Sequence, residues 1–177
     1  MTDIAVTIVG PDRPGIVAEV SAALAGLRLN LTDSTMTLLR GHFSMMLVCT
    51  PDPDAGDISA DRVNAALEPL TAPGHLIATA RTLEDDESPR APGAPYTLVV
   101  HGADRLGIVA AMTAVVARFG GNITDLTTRL AGTLYSLTAE VDVPEGTEIH
   151  AIHADLATEA ARLGVTANLT LVEADML

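Results

Sequence analysis

The sequence predicts an α+β fold made of two tandem βαββαβ units, each an antiparallel four-stranded sheet with both helices on one face. Three observations lead there. The chain repeats itself at an offset of 92 residues, which carries Gly10 onto Gly102. Within each copy the apolar residues switch between strand-like and helix-like spacing in the same order. An acidic, proline-rich stretch separates the two copies. The order βαββαβ is the ferredoxin-like split unit.

The repeat is dense. Gly10, Asp12, Arg13, Gly15, Ile16, Val17 and Ala18 fall on Gly102, Asp104, Arg105, Gly107, Ile108, Val109 and Ala110. Asn30, Thr32, Asp33, Thr35, Leu38 and Ser44 fall on Asn122, Thr124, Asp125, Thr127, Leu130 and Ser136, with no gap. Self-similarity of this kind marks a duplicated supersecondary unit. Residues 84–95, "EDDESPRAPGAP", combine acids with prolines and a glycine and read as a solvated linker. The expected domains are therefore residues 1–83 and 96–177.

Each element has its own reason. "DIAVTIV" (3–9) and "YTLVVH" (96–101) are short and rich in β-branched residues, hence strands. Ile16, Val17, Val20, Ala23, Leu24 and Leu27 then form one helical face, and Ile108, Val109, Met112, Val115, Val116 and Phe119 repeat it. "NLTDSTMTLL" and "HFSMMLVCT" read as a hairpin turning at Arg40–Gly41; "NITDLTTRL" and "LYSLTAEVDV" are its counterpart, turning at Ala131–Gly132. A second helix follows through Ile58, Val63, Leu67 and Leu70, or Ile149, Ile152, Leu156 and Leu163. "HLIATART" (75–82) and "VTANLTLV" (165–172) are the closing strands. Helices on one face leave the other face of each sheet open, with Thr7, Met46 and Val99 expected there.

Composition narrows the function. Apolar residues make up 48% of the 177-residue chain but aromatics only 2%, so the cores are aliphatic and platforms for stacking nucleobases are scarce. A net charge of −13, with no basic cluster, argues against direct nucleic-acid contact. Cys49 is the sole cysteine, which excludes an internal disulfide and a multi-cysteine metal site. The first residues lack the pattern of a signal peptide, and no stretch approaches the ~20 apolar residues of a membrane span. A cytoplasmic setting is expected.

The repeated turns "GPDRPGI" and "GADRLGI" link the first strand to the first helix. A helix N-terminus offers unpaired N–H groups and a positive dipole end, both suited to a carboxylate or phosphate. Gly15 and Gly107 leave room for close approach. Asp12 and Asp104 are capping residue types, and Pro14 suits a first helical turn. Arg13 and Arg105 suit either a second ligand oxygen or a surface ion pair. Ordinary strand-to-helix turn chemistry also uses Gly, Asp and Pro. Asn30/Asp33 and Asn122/Asp125 suit either a ligand's ammonium group or a turn stabilised by its own side chains.

These residues carry a resemblance. "GPDRPGIVAEVSAAL…LNLTDSTMTLLRGHFSMML" and "GADRLGIVAAMTAVVARFGGNITD" resemble the ACT domain, a βαββαβ module that binds amino acids and regulates metabolism. The tandem arrangement and "TMTLLRGHFSMML" are most similar to the glycine cleavage system transcriptional repressor group. The resemblance implies a ligand site at an interface between two such domains, lined by the first turn and the start of the second strand. By position it implies Asp12, Arg13, Pro14, Gly15, Ile16 and Asn30, and Asp104, Arg105, Leu106, Gly107, Ile108 and Asn122. Two departures stand out: Leu106 replaces the proline, and Leu29 replaces the glycine that Gly121 keeps.

No catalytic motif accompanies these turns. Cys49 reads as core packing, His150 and His153 as an exposed helix face, and His101 as a residue beside the second turn. The expectation is a non-catalytic, amino-acid-responsive regulator without a cofactor, self-associating and acting through a protein partner such as a transcription factor. The resemblance puts glycine or serine first among ligands. The alternative is a separate regulatory subunit that controls a metabolic enzyme.

Overall fold

The computed structural model describes residues 2–71, 75–83 and 93–172. The chain divides into two compact units, Met1–Ser88 and Pro89–Leu177. The first contains β1 (Ile4–Pro11), α1 (Ile16–Gly26), β2 (Leu29–Leu39), β3 (His42–Pro51), α2 (Ala60–Thr71) and β4 (Ile77–Thr82). The second contains β5 (Gly93–Ala103), α3 (Ile108–Arg118), β6 (Asn122–Ala131), β7 (Leu134–Pro144), α4 (Ile149–Leu163) and β8 (Val165–Leu171). Both sheets are antiparallel, with orders β2-β3-β1-β4 and β6-β7-β5-β8. Each unit is thus the ferredoxin-like βαββαβ fold that the repeat predicts.

Alternation along the central strands fixes the layers. Ile4, Val6 and Ile8 on β1 sit beside Cys49, Leu47 and Met45 on β3 and pack under Ile16, Val20, Leu24, Val63 and Leu67. In the second unit Leu98 and Val100 join Ala139 and Leu137 beneath Ile108, Met112, Val115, Ile152 and Leu156. The opposite parity leaves Thr7 paired with Met46, and Val99, on the open faces. Cys49 is fully buried, and burial pushes its thiol pKa up, with the Asp3 charge adding to the shift. Asn64 on α2 does a different job: its side-chain amide bonds both the N–H (2.7 Å) and the C=O (3.3 Å) of Ala80 on edge strand β4.

The structure corrects the expected boundaries in three places. β5 runs back to Gly93, so residues 93–95 of the expected linker pair with β7. Pro95 fits there because β8 reaches only to Tyr96, and its own carbonyl accepts from Val172 N–H at 2.9 Å. Residues 84–92 lie outside the described residues. The second hairpin turns at Gly132–Thr133, one residue later than its composition suggests. Arg40 and Gly41 both take positive φ in the first hairpin, whereas only Gly132 does in the second, so the loop types differ. Finally, a bulge interrupts β2 between Leu31 and Asp33, and β6 between Ile123 and Asp125. Thr32 and Thr124 stand at those bulges and donate across the ladder to Val48 O (3.2 Å) and Glu140 O (3.4 Å). The repeated Asn-x-Thr-Asp pattern is therefore in part a bulge signature.

Candidate functional site

Both strand-to-helix turns are built around a left-handed glycine. Gly15 (φ 93°) and Gly107 (φ 91°) are the N-cap residues of α1 and α3, and neither helix has a side-chain cap. Their carbonyls accept the first helical bonds, from Glu19 N–H and Ala111 N–H, each at 2.9 Å. The next three N–H groups of each helix have no intrahelical partner. This overturns the capping roles expected of Asp12 and Asp104. A glycine already turns the chain by adopting positive φ, and no side chain, the aspartates included, caps either helix. Pro14 likewise lies before the N-cap, not inside the first helical turn. Asp12 instead donates its N–H to Gly41 O at 2.9 Å, tying the turn to the first hairpin.

An open depression lies over each turn. The first, of about 460 Å³, is lined by Asp12, Arg13, Gly15, Ile16, Val17, Ala18, Met36 and Phe43. The second, of about 480 Å³, is lined by residues 104–110 and Tyr135. Ile16 and Ile108 are buried in the cores, so they face the depressions through their backbone. Leu106, which stands where the first copy has Pro14, is fully exposed. Phe43 and Tyr135 close the two depressions from the β3 and β7 side. Their roles went unseen in the sequence, although they fall on each other at the repeat offset and are half of the chain's four aromatic residues.

Asn30 and Asn122 are not at these depressions. Asn30 pairs with Thr50, whereas the turn leaves the sheet where Pro11 pairs with His42. Eight positions of β3 separate those levels, roughly 26 Å at about 3.3 Å per residue. The second unit repeats this, with Asn122 beside Asp142 and Ala103 beside Leu134. One unit alone therefore does not bring its turn and the start of its second strand together. His101 faces the open side of the sheet, away from Tyr135 and the turn. His150 and His153 are exposed on α4. Among the described residues no three metal-ligating side chains cluster, and no helix is long and apolar enough to cross a membrane.

The electrostatics of the two turns differ. Arg13 holds Glu19 in a two-pronged pair, Nη1 to Oε1 at 2.7 Å and Nη2 to Oε2 at 2.5 Å. The hydrogen bond from Arg13 holds the Glu19 carboxyl below the usual carboxylate range and raises the Arg13 pKa in return. At the repeat offset Glu19 becomes Ala111, and Arg105 has no ion pair among the described residues.

Comparison with known proteins adds the family. The model of the ACT domain matches residues 2–72 and again 97–170. A UPF0237 protein of Methanopyrus kandleri is 38% identical over 68 residues, which cover 38% of this chain and 73% of that protein. A phosphoserine phosphatase of Streptomyces coelicolor is 32% identical over 162 residues, 90% of this chain but 38% of that enzyme's length. Among solved structures, an unknown protein from Galdieria sulphuraria superposes with a TM-score of 0.81 at 29% identity, covering 97% of this chain and 99% of that one. A protein provisionally assigned as a glycine cleavage system transcriptional repressor gives 0.71 at 19% identity, covering 98% of each chain, a likeness of fold.

Proposed function

This chain belongs to the ACT-domain family, and from that premise we propose that it is a non-catalytic regulatory protein that responds to a small amino acid. The observation that carries the reading is the duplicated depression over a helix N-terminus, each with a glycine N-cap and an arginine at its rim. Helix-end N–H groups, the dipole and a guanidinium together suit a carboxylate. The ligand's ammonium group is then met by Asn30 or Asn122. Those residues lie at the far end of their own sheets from the turns, so one unit alone does not complete such a site.

Glycine or serine is the favoured ligand, in keeping with the resemblance to the glycine cleavage repressor group. The chain acts in the cytoplasm, self-associates and needs no cofactor. Its charge of −13 repels phosphate backbones, so any effect on transcription runs through a protein partner. A stretch resembling nearly all of this chain forms part of a phosphoserine phosphatase. That match favours a second reading, in which the partner is a metabolic enzyme and this chain its separate regulatory subunit.

A calorimetric screen of the twenty amino acids tests the ligand claim. Saturable heat with glycine or L-serine, lost in a Gly15→Val/Gly107→Val double variant that keeps its circular dichroism, is the expected result. Binding unaltered in that folded variant assigns the turns to structure alone. Co-purification from the native host then separates a transcription factor from an enzyme as partner.

A further inference from the structure

We propose that two copies of this chain associate through the open face of the first sheet, packed sheet to sheet about a two-fold axis, with Asp33 of each copy facing Arg81 of the other. The inference rests on the proposed self-association and names the surface that carries it.

The ladder register lays this face out in rows. Asp33, Val48, Ala5 and Arg81 form one row across β2, β3, β1 and β4. Thr35, Met46, Thr7 and Thr79 form the next, and Thr37, Ser44, Val9 and Ile77 the third. Met46 and Val9 stand on the two central strands, yet they are 49% and 40% exposed, and Ile77 on β4 is 73% exposed. Hydroxyl side chains fill most of the remaining positions and bring no charge into an interface. Asp3, just beyond the first row, already accepts from the Thr50 hydroxyl at 2.8 Å.

Asp33 and Arg81 are the only charged residues in these three rows, and they stand at opposite ends of one row. Three strand spacings, roughly 14 Å, separate them. Among the described residues neither has an ion-pair partner. A two-fold axis along the strands, between β3 and β1, exchanges the two ends. It sets Asp33 over the partner's Arg81 and Arg81 over the partner's Asp33. Facing sheets lie about 10 Å apart, a gap that an aspartate and an arginine together span. The face is thus self-complementary, as a two-fold interface requires. The same rotation buries Met46 and Val9 near the axis. It also lays the partner's β1 and β4 over the shallow depression of about 230 Å³ between β2 and β3.

The second sheet lacks this arrangement. At the repeat offset Asp33, Val48 and Met46 become Asp125, Glu140 and Thr138, and Val9 becomes His101. Asp125 and Glu140 are ladder neighbours, and Thr97 and Thr170 complete their row. The same rotation there sets both carboxylates against threonines, with no cation. Burying an unpaired charge is costly, so this face stays in water.

The test is sedimentation velocity of the full-length chain over a range of concentrations, at low and physiological salt. The parent forms a concentration-dependent dimer. Met46→Asp and Ile77→Asp each weaken it by at least about tenfold, because each buries a charge with no partner. Both positions are exposed, so the variants keep the circular dichroism of the parent. Asp33→Arg and Arg81→Asp each raise the dimer Kd by roughly tenfold at low salt, and the two combined return it to within about twofold of the parent. Thr138→Asp on the second sheet changes nothing. A chain that is monomeric at every concentration overturns this inference and the proposed self-association together. A dimer left intact by folded Met46→Asp or Ile77→Asp overturns this inference alone, as does a double charge exchange that fails to restore the dimer.

Discussion

Replacing Gly107 with alanine isolates the backbone demand of the turn from any question of space. Gly107 holds φ at 91°, and an added Cβ would touch nothing within 4 Å. The substitution therefore creates no clash. Its cost is that of an L residue in left-handed conformation, about 1–2 kcal/mol. Alanine also lowers the entropy of the unfolded chain, which offsets about 0.4–1 kcal/mol. The net loss is about 1 kcal/mol, and for a unit of this size each kcal/mol moves Tm by roughly 4–8 °C. Far-UV circular dichroism melts measure it. Two comparators sharpen the result. Gly107→Asn loses less, because asparagine tolerates left-handed φ. Gly102→Ala loses more, about 1–3 kcal/mol, because its Cβ would meet the Val165 Cα at 3.0 Å and Cγ1 at 2.9 Å. A Gly107→Ala variant as stable as the parent, or more stable, refutes the argument that φ dictates this glycine.

Three other outcomes are expected. Asn64→Ala removes both bonds to the Ala80 backbone and costs about 1–3 kcal/mol; urea melts read the loss, and hydrogen exchange shows the Ala80 amide losing protection. Cys49 has its pKa raised by folding, so its contribution is full below the unfolded thiol value of about 8.5 and is lost as pH rises through the higher folded value. The difference in stability between the parent and Cys49→Ala therefore narrows from pH 7.5 to pH 9.5, and an aromatic disulfide reagent reaches Cys49 only on unfolding. The purified chain fails to retain duplex DNA at physiological salt; tight, salt-sensitive retention by the protein alone contradicts the charge argument.

The parts of the molecule legible in the sequence are those that long periodicity dictates. The helical faces of Ile16–Leu24 and Ile108–Val116, the alternation of β1 and β3, and the tandem order all follow from apolar spacing. The site was less legible because single-residue backbone choices decide it. Asp12 resembles a cap, yet the N-cap role falls to Gly15, and only its φ reveals this. Asn30 is of a type that suits a ligand's ammonium group, but strand length sends it to the far end of its own sheet from the turn. Arg28 takes φ 60° where the second copy uses Gly120, a substitution that no propensity scale anticipates. The Arg13–Glu19 pair spans six positions, which matches no regular helical spacing and is visible only once the turn is folded.

The two core clusters draw on separate residues: Ile4 to Ala80 build one, and Leu98 to Leu169 the other. Each half thus carries its own means of folding. Under mutation, such a chain behaves as a duplicated gene kept on a single message. A change on the surface of one half touches no residue of its sibling's core, so the two copies are free to differ there. Glutamate at residue 19 and alanine at residue 111 are what that freedom leaves behind, a divergence fixed where neither core registers it.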